Sequence, residues 1–485
     1  MIRRFARTSD RRSDRLITGV LCLSGIVVAL QHTLVVPLLQ EFPGILGVDS
    51  ASVSWLVTVT LLTASVATPI LSRLADMFGK RLMMLVSLGT IVLGSVVAAV
   101  GGTFLTVLIG RGLQGLASAL VPVAIAIMRD ELPAKKVAGA TALMSATLGI
   151  GSALGLPLPG LFYGHLGWQS IFWMSAVAGA VLFAAVLLVV PESPVRTGGR
   201  FDLGGAVLLS AALVALLLVI SKGGTWGWTD PRTLIAAAVA VLAFAVWFPL
   251  ELRIGMPLVD LRTSGRRPVL LTNVAGLLLG ISMYANMLTT TQQLTLSADT
   301  GHGFGLSVLA AGLWLVPAGL MMVVFAPISA RAIERFGANR TLVAGAGILL
   351  ASYVVRVFAA GSVLQIALGA VFVMIGTAVT YATMPMLILD AVPITETASA
   401  NGLNALARSI GTAISSALTA ALLTTVTVDV AGLAVPAPAA FQLVYALAGL
   451  AALATVVVAL FIPHPARPVA ATDDRSAHPV TTGAR

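Results

Sequence analysis

The sequence predicts an all-α membrane protein of fourteen spans, two six-helix bundles in tandem with two further helices inserted between them. Three observations predict it: hydropathy, the placement of the cations, and an internal repeat. Of 485 residues, 58% are hydrophobic and 10% charged, at a mean hydropathy of +1.00. Soluble globular chains run near half apolar and a quarter charged, so an ordinary soluble enzyme is excluded. Apolar runs of about 20 residues, the length a membrane helix needs, occupy 16–39, 51–71, 83–102, 104–128, 137–160, 169–190, 203–221, 231–250, 268–292, 305–328, 341–360, 363–389, 398–425 and 438–462. Barrel strands need only about 9–11 residues, and lipid offers no partner to an unpaired backbone group, so these runs are helices.

Taken in order, residues 1–15 hold six arginines and no apolar region, which reads as a tail ahead of a retained first span rather than a cleaved leader. Spans 1–6 fill residues 16–190, with Gly101, Gly102 and Thr103 forming a tight hairpin between spans 3 and 4. Residues 191–267 carry the two extra spans, 268–462 the second bundle, and 463–485 a Pro-, Ala- and Asp-containing tail expected to be disordered. The lone Cys22 excludes an intramolecular disulfide and a cysteine metal cluster.

The net charge of +10 is a matter of topology. Of the 29 Lys and Arg, 24 fall in the tails and every second loop save that between spans 12 and 13, which holds Asp390 and Glu396 but no cation, 2 (Lys222 and Arg232) in the opposite loops, and 3 within spans. Cations stay on the cytoplasmic side, which places both termini inside a bacterial-type cell membrane and excludes nucleic acid as the reason for the charge.

Residues 69–81 (PILSRLADMFGKR) and 327–340 (PISARAIERFGANR) align at a shift of 258, pairing Arg73 with Arg331, Asp76 with Glu334 and Gly79 with Gly337. A second match at a shift of 260 pairs Pro133 with Pro393 and Gly151 with Gly411. Spans 1–6 therefore correspond to spans 9–14. A duplicated bundle offers a cavity between its halves, and rocking one half on the other opens that cavity to each side in turn. There is no GxxxxGK[ST] loop, which argues against an ATP-driven pump.

Four segments carry chemistry. Arg73, Asp76, Gly79, Lys80 and Arg81 form the loop after span 2, repeated as Glu334 and Gly337; Gly79 permits a tight turn, and Asp76 is placed to hold a cation or a helix N-terminus as a cytoplasmic gate. Arg111 and Gln114 lie within span 4, where a charge costs at least about 2.5 kcal/mol and faces the bundle interior. Span 5 holds Gly149, Gly151, Gly155 and Gly160 with Pro157 and Pro159, small residues for close packing and prolines for a kink. Span 13 holds Asn404 and Arg408. Together these segments resemble the major facilitator superfamily over nearly the whole chain, in particular its fourteen-span drug:proton antiporters of the QacA/EmrB type, although Ser72 and Met77 depart from the loop motif. The resemblance implies the major facilitator fold, export, proton coupling through Arg111, and an antiporter motif in span 5.

Those antiporters usually carry an acid in span 1. Here Leu30-Gln31-His32-Thr33 puts Gln31 in its place, and none of the nineteen acids lies at mid-depth. The interior holds Arg111, Arg356 and Arg408 with the titratable His32, and Arg356 is expected to meet a neighbour's carbonyls or to snorkel. A desolvated organic cation needs a counter-charge, so such an interior favours neutral, zwitterionic or anionic substrates. Proton coupling is assigned to Arg111, His32, Gln31 and Arg408, with His32 as the carrier and Asp76 as the alternative carboxylate. The cavity is expected among Thr58, Gln114, Tyr284, Asn286, Gln292, Gln293, Trp314, Tyr381, Asn401 and Asn404. The expected protein is a monomeric exporter of small amphiphiles driven by protons, with no metal or cofactor and no catalytic constellation. An importer of an anionic metabolite and a non-transporting receptor of the same fold are the alternatives.

Overall fold

The computed structural model describes residues 11–463 apart from 36–37, 40, 156–157, 159–161, 164–165 and 431–432. Fourteen long helices follow one another: α1 (Arg11–Thr33), α2 (Trp55–Phe78), α3 (Lys80–Gly101), α4 (Phe104–Glu131), α5 (Ala134–Leu154), α6 (Gln169–Val189), α7 (Leu203–Trp226), α8 (Pro231–Arg253), α9 (Arg267–Thr295), α10 (Val308–Phe336), α11 (Ala338–Phe358), α12 (Val363–Ala391), α13 (Thr397–Thr425) and α14 (Pro438–Leu460). Thirteen are long and apolar enough to cross a membrane among the described residues; α5, of 21 residues, is the one long helix outside that set. Pro157, Pro159 and Gly160, expected to kink span 5, lie outside the described residues.

Helix α4 is not the continuous span the hydropathy suggests. It is α-helical to Gly115, 3-10 helical over Leu116–Ala119, and α-helical again from Leu120. Pro122 supplies no N–H to the turn before it, and Gly115 lets α2 come so near that a Cβ there would lie 2.5 Å from the Thr60 carbonyl.

The cores follow the repeat. One cluster joins α1 to α6 through residues such as Leu21, Met84, Leu120, Ile127 and Val186, and a second joins α9, α11, α12 and α14 through Leu279, Tyr353, Phe441 and Tyr445. The halves meet along two seams. At one, α5 packs on α10 and α12 through Ala138, Ala142, Ala146, Met322 and Ala326. At the other, α2 crosses α13, where a Cβ on Gly402 would sit 2.5 Å from Ser72 Oγ. The hairpin α7–α8 lies along this second seam, burying Leu209, Leu213 and Trp247 with Leu406 of α13 and touching Ile70 of α2.

The repeated loop ends alike in both halves, Gly79 closing α2 at φ 131° and Gly337 closing α10 at φ 85°. At the opposite end, a two-stranded antiparallel ribbon (Thr427–Val430 with Leu433–Pro436) joins α13 to α14.

Candidate functional site

At the cation-rich end the second seam is bolted across. Asp76 is fully buried near the end of α2, and its Oδ1 and Oδ2 accept the backbone N–H groups of Ala398 (3.2 Å) and Ser399 (2.8 Å) in the first turn of α13. A carboxylate at a helix N-terminus meets both unpaired donors and the positive end of the helix dipole. Arg129, at the end of α4, donates to the Leu389 carbonyl (2.6 Å), the Val392 carbonyl (3.2 Å) and Thr397 Oγ1 (2.7 Å), stopping the carbonyl end of α12. That loop of the second half has no cation of its own, and the first half provides one. Thr197 completes the bridge, donating its N–H to the Asp76 carbonyl (2.8 Å) and its hydroxyl to Thr395 O (2.9 Å).

The remaining loop residues brace the first half. Lys80 pairs with Asp130, both side chains fully buried, and Asp130 also accepts from Ser193 Oγ at 2.5 Å. Arg81 donates to the Leu187 carbonyl, and Arg73 is buried on α2. Glu334, by contrast, is exposed, with no described hydrogen bond or ion pair across the seam. The motif is duplicated, yet among the described hydrogen bonds only those of the first copy cross between the halves, the second copy meeting α5 through the apolar Ala330 and Ile333.

Deeper in, each buried guanidinium is met by dipoles. Arg111 is 1% exposed and donates Nε to Leu56 O (3.2 Å) and Nη1 to Gln31 O and Gln114 Oε1 (both 2.8 Å), while Gln114 Nε2 donates to Ser95 Oγ (2.8 Å). The partner in α1 is therefore the Gln31 backbone; the Gln31 amide itself is buried with neither atom hydrogen-bonded, and His32 lies within the field of Arg111. Arg408, half-buried on α13, donates to Asn404 Oδ1 (3.2 Å) and stands 4.2 Å over the Tyr381 ring. The Tyr381 carbonyl accepts from Ser145 Oγ of α5 (3.5 Å), so this arginine sits at the junction of the halves.

Arg356 neither snorkels nor meets carbonyls. It is fully buried in the last turn of α11, where the helix dipole favours a cation, and lies in a cage of side chains: Asn286 Oδ1, Thr290 Oγ1 (2.8 Å) and Tyr445 Oη (2.7 Å), with the Tyr445 ring 4.2 Å away. Tyr445 in turn donates to Gln293 Oε1 (2.8 Å). The two ion pairs described, Lys80–Asp130 and Lys136–Asp14, are both at the cation-rich end, so none of these three arginines has a carboxylate partner among the described residues.

The family model of the Major Facilitator Superfamily matches residues 21–289 and 270–483. The chain belongs to this superfamily. Relatives include the Tetracenomycin C resistance and export protein of Streptomyces glaucescens, 32% identical over 66% of this chain and 59% of its own length. The Multidrug resistance protein Stp of Mycobacterium tuberculosis (strain CDC 1551 / Oshkosh) is 27% identical over 78% of this chain and 70% of its own. The alignment thus spans less than two thirds of the first relative. In fold, the chain is similar to the crystal structure of the human organic anion transporter MFSD10 (TETRAN), with a TM-score of 0.64 and 16% identity over 92% of this chain and 99% of that one.

The other expected site residues of this facilitator fall into separate places. On α5, a Cβ at Gly149 would lie 2.5 Å from Met322 of α10, while Gly151 and Gly155 abut Ala29 and Thr33 of α1, so these glycines bring α5 against both halves. Thr58 is buried and returns its hydroxyl to Ser54 O (3.1 Å), and Asn401 donates to Thr397 O (2.9 Å), each within its own helix end. Asn404 donates to Thr272 O (3.1 Å), joining α13 to α9. Tyr284 is half-buried on α9. Asn286 and Gln293 belong to the Arg356 cage and Gln114 to the Arg111 site, whereas Gln292 and Trp314 are exposed. Sequence reasoning missed Arg129 as a cross-seam residue; the signal was a loop between spans 12 and 13 that lacked the expected cation.

Proposed function

We propose that this facilitator exports small amphiphilic compounds, neutral or anionic ones in preference to cations, in exchange for protons by alternating access, with its cation-rich end facing the cytoplasm of the cell membrane. The observation that carries the reading is the interior charge: Arg111, Arg356 and Arg408 are balanced by carbonyls, amides and rings rather than carboxylates. An organic cation entering such an interior finds like charge and no counter-ion, while a carboxylate or a polarisable neutral body finds donors. Export is supported by the relatives, a tetracenomycin C resistance and export protein and a multidrug resistance protein. The Asp76 and Arg129 bridges support a cycle in which the cytoplasmic side is shut while the other side opens. Proton exchange is assigned to His32 beside Arg111, with Asp76 at the seam as the alternative carboxylate.

The test is cellular accumulation of matched acidic, neutral and cationic amphiphiles, with and without a protonophore, on expression of the wild type or Asp76→Asn. The expected result is lowered accumulation of the acidic and neutral members, abolished by the protonophore. Raised accumulation of the acidic member indicates import of an anionic metabolite, the second reading the cationic interior supports. Binding without movement across a vesicle wall indicates a receptor. In proteoliposomes, His32→Ala is expected to uncouple transport from ΔpH; unaltered ΔpH-driven transport removes His32 as carrier.

A further inference from the structure

The two inserted helices carry a pair of acids that the transport cycle above does not use. Asp202 begins α7, where its Oδ1 accepts the Gly205 N–H at 2.8 Å. Glu251 lies near the end of α8, 2% exposed, and its Oε1 accepts the Val259 N–H at 2.6 Å. That leaves one oxygen on each, Asp202 Oδ2 and Glu251 Oε2, and both are sealed from solvent with no N–H or O–H offered to them. The two free oxygens converge over Gly205, Asp202 Oδ2 and Glu251 Oε2 both within 2.6 Å of the point a Cβ there would occupy. Any side chain at 205 would separate them.

Two carboxylate oxygens converging on one point out of water cannot both be ionised at modest cost; one proton between them turns repulsion into a hydrogen bond. We infer that Asp202 and Glu251 are a proton-binding site of the inserted hairpin, sharing a single proton that fastens the linker 254–266 to the start of α7 and whose loss releases that linker.

The placement gives the proton something to control. Through Val259, Glu251 anchors the strand that leads into α9, the first helix of the second bundle. Val259 and Leu258 are buried in the same cluster as Leu403, Leu406 and Ile410 of α13 and Ile70 of α2, so the site adjoins the seam that Asp76 bolts. Those facing residues are all apolar. The charged groups of the adjoining segments are Arg200, Arg253, Asp260 and Arg262: Arg200 and Arg253 are exposed, Asp260 caps the short helix Leu261–Ser264, and Arg262 donates to Leu252 O at 3.0 Å. Asp202 is the charge that acts on Glu251. One turn before Glu251, the buried Trp247 holds an unpartnered indole N–H, a donor available when the linker moves.

The test pairs infrared difference spectroscopy with hydrogen exchange on the purified full chain across a pH series, for the wild type, Asp202→Asn and Glu251→Gln. The wild type is expected to show a protonated-carboxyl band at acid pH that both substitutions remove. Exchange of the 254–266 amides is expected to rise at least about tenfold as that band disappears, the size of one pKa unit of difference in proton affinity between fastened and released linker. In Asp202→Asn the amide N–H replaces the proton, so the linker stays protected at every pH. Glu251→Gln, which keeps an oxygen for Val259, carries the same test if Asp202→Asn fails to assemble. A band that survives both substitutions, or a linker whose pH dependence is unchanged in them, overturns the site. So does protection that follows sodium or a divalent cation at constant pH, which would make the pair a metal-ion site.

Discussion

Replacing Asp76 with Asn removes the charge of the seam bolt while keeping its shape. In the bridged state Asp76 gives one oxygen to each of two backbone donors, Ala398 N (3.2 Å) and Ser399 N (2.8 Å), at a fully buried position. Asparagine retains one acceptor and turns an NH2 group toward the other N–H. Charge-assisted hydrogen bonds contribute about 1.5–3 kcal/mol net each, and a buried donor left unmatched costs about 1–3 kcal/mol. When the halves part, water serves either side chain equally, so the loss falls on the bridged state alone. Allowing for the bond that asparagine keeps, the bridged state should lose roughly 2–3 kcal/mol, moving the equilibrium about 30- to 150-fold toward the parted state. The assay is double electron–electron resonance between labels at Lys135 and Arg340, exposed residues at the cation-rich ends of α5 and α11, in a background where the buried Cys22 is replaced by Ser. The expected result is a longer-distance population whose ratio to the shorter-distance one grows by that factor in Asp76→Asn. Identical distance distributions in the two proteins would show that the contact with α13 does not hold the seam.

Other substitutions follow from the same geometry. Arg129→Ala leaves the Leu389 and Val392 carbonyls and Thr397 Oγ1 without their donor, and the same distance measurement should report a shift in the same direction as Asp76→Asn. Gly369→Ala sets a Cβ 2.7 Å from Arg356 Cγ and 2.8 Å from Cδ, on a side chain pinned at its far end; overpacking of this kind costs about 1–3 kcal/mol, and thermal unfolding in detergent should show the loss, with Gly347→Ala, where a Cβ meets open space, as the unaffected control. Gln31→Asp places a carboxylate in the apolar surroundings of Arg111, where the wild-type amide has no partner. Ethidium efflux should appear in that variant and be absent in the wild type; no gain of cation efflux would separate interior charge from substrate choice.

Membrane span count, the order of helices and the duplicated loop were legible because each rests on a period or a repeat that the chain carries locally. The break in α4 was not, since Leu116–Ala119 is as apolar as its flanks and a change from α to 3-10 bonding leaves hydropathy untouched. That Asp76 would meet a cation or a helix N-terminus was legible, but which helix was not: its partners are backbone N–H groups of residues 398 and 399, which any side chain would supply. Arg129 was counted only as a cation of its loop, because its acceptors are carbonyls of the other half, more than 250 residues away. The cage of Arg356 draws on two other helices, α9 and α14, through neutral oxygens, and nothing in residue type tells Asn286 and Tyr445 from polar residues that face elsewhere. The cavity list shows the same limit, mixing Gln293, buried in that cage, with its exposed neighbour Gln292. Glu251 and Asp202 read as loop-end acids until the fold of the inserted hairpin set them face to face.

The central claim is that an interior of arginines without carboxylates selects the charge of what is carried. It is tested most directly by uptake into everted membrane vesicles of three amphiphiles sharing one aromatic body and ending in a carboxylate, an amide or a quaternary ammonium group. The account predicts energised uptake of the carboxylate and the amide, lost in Asp76→Asn, and none of the ammonium compound above vesicles lacking the protein. Uptake of the ammonium compound equal to that of the carboxylate, and equally sensitive to Asp76→Asn, would contradict it.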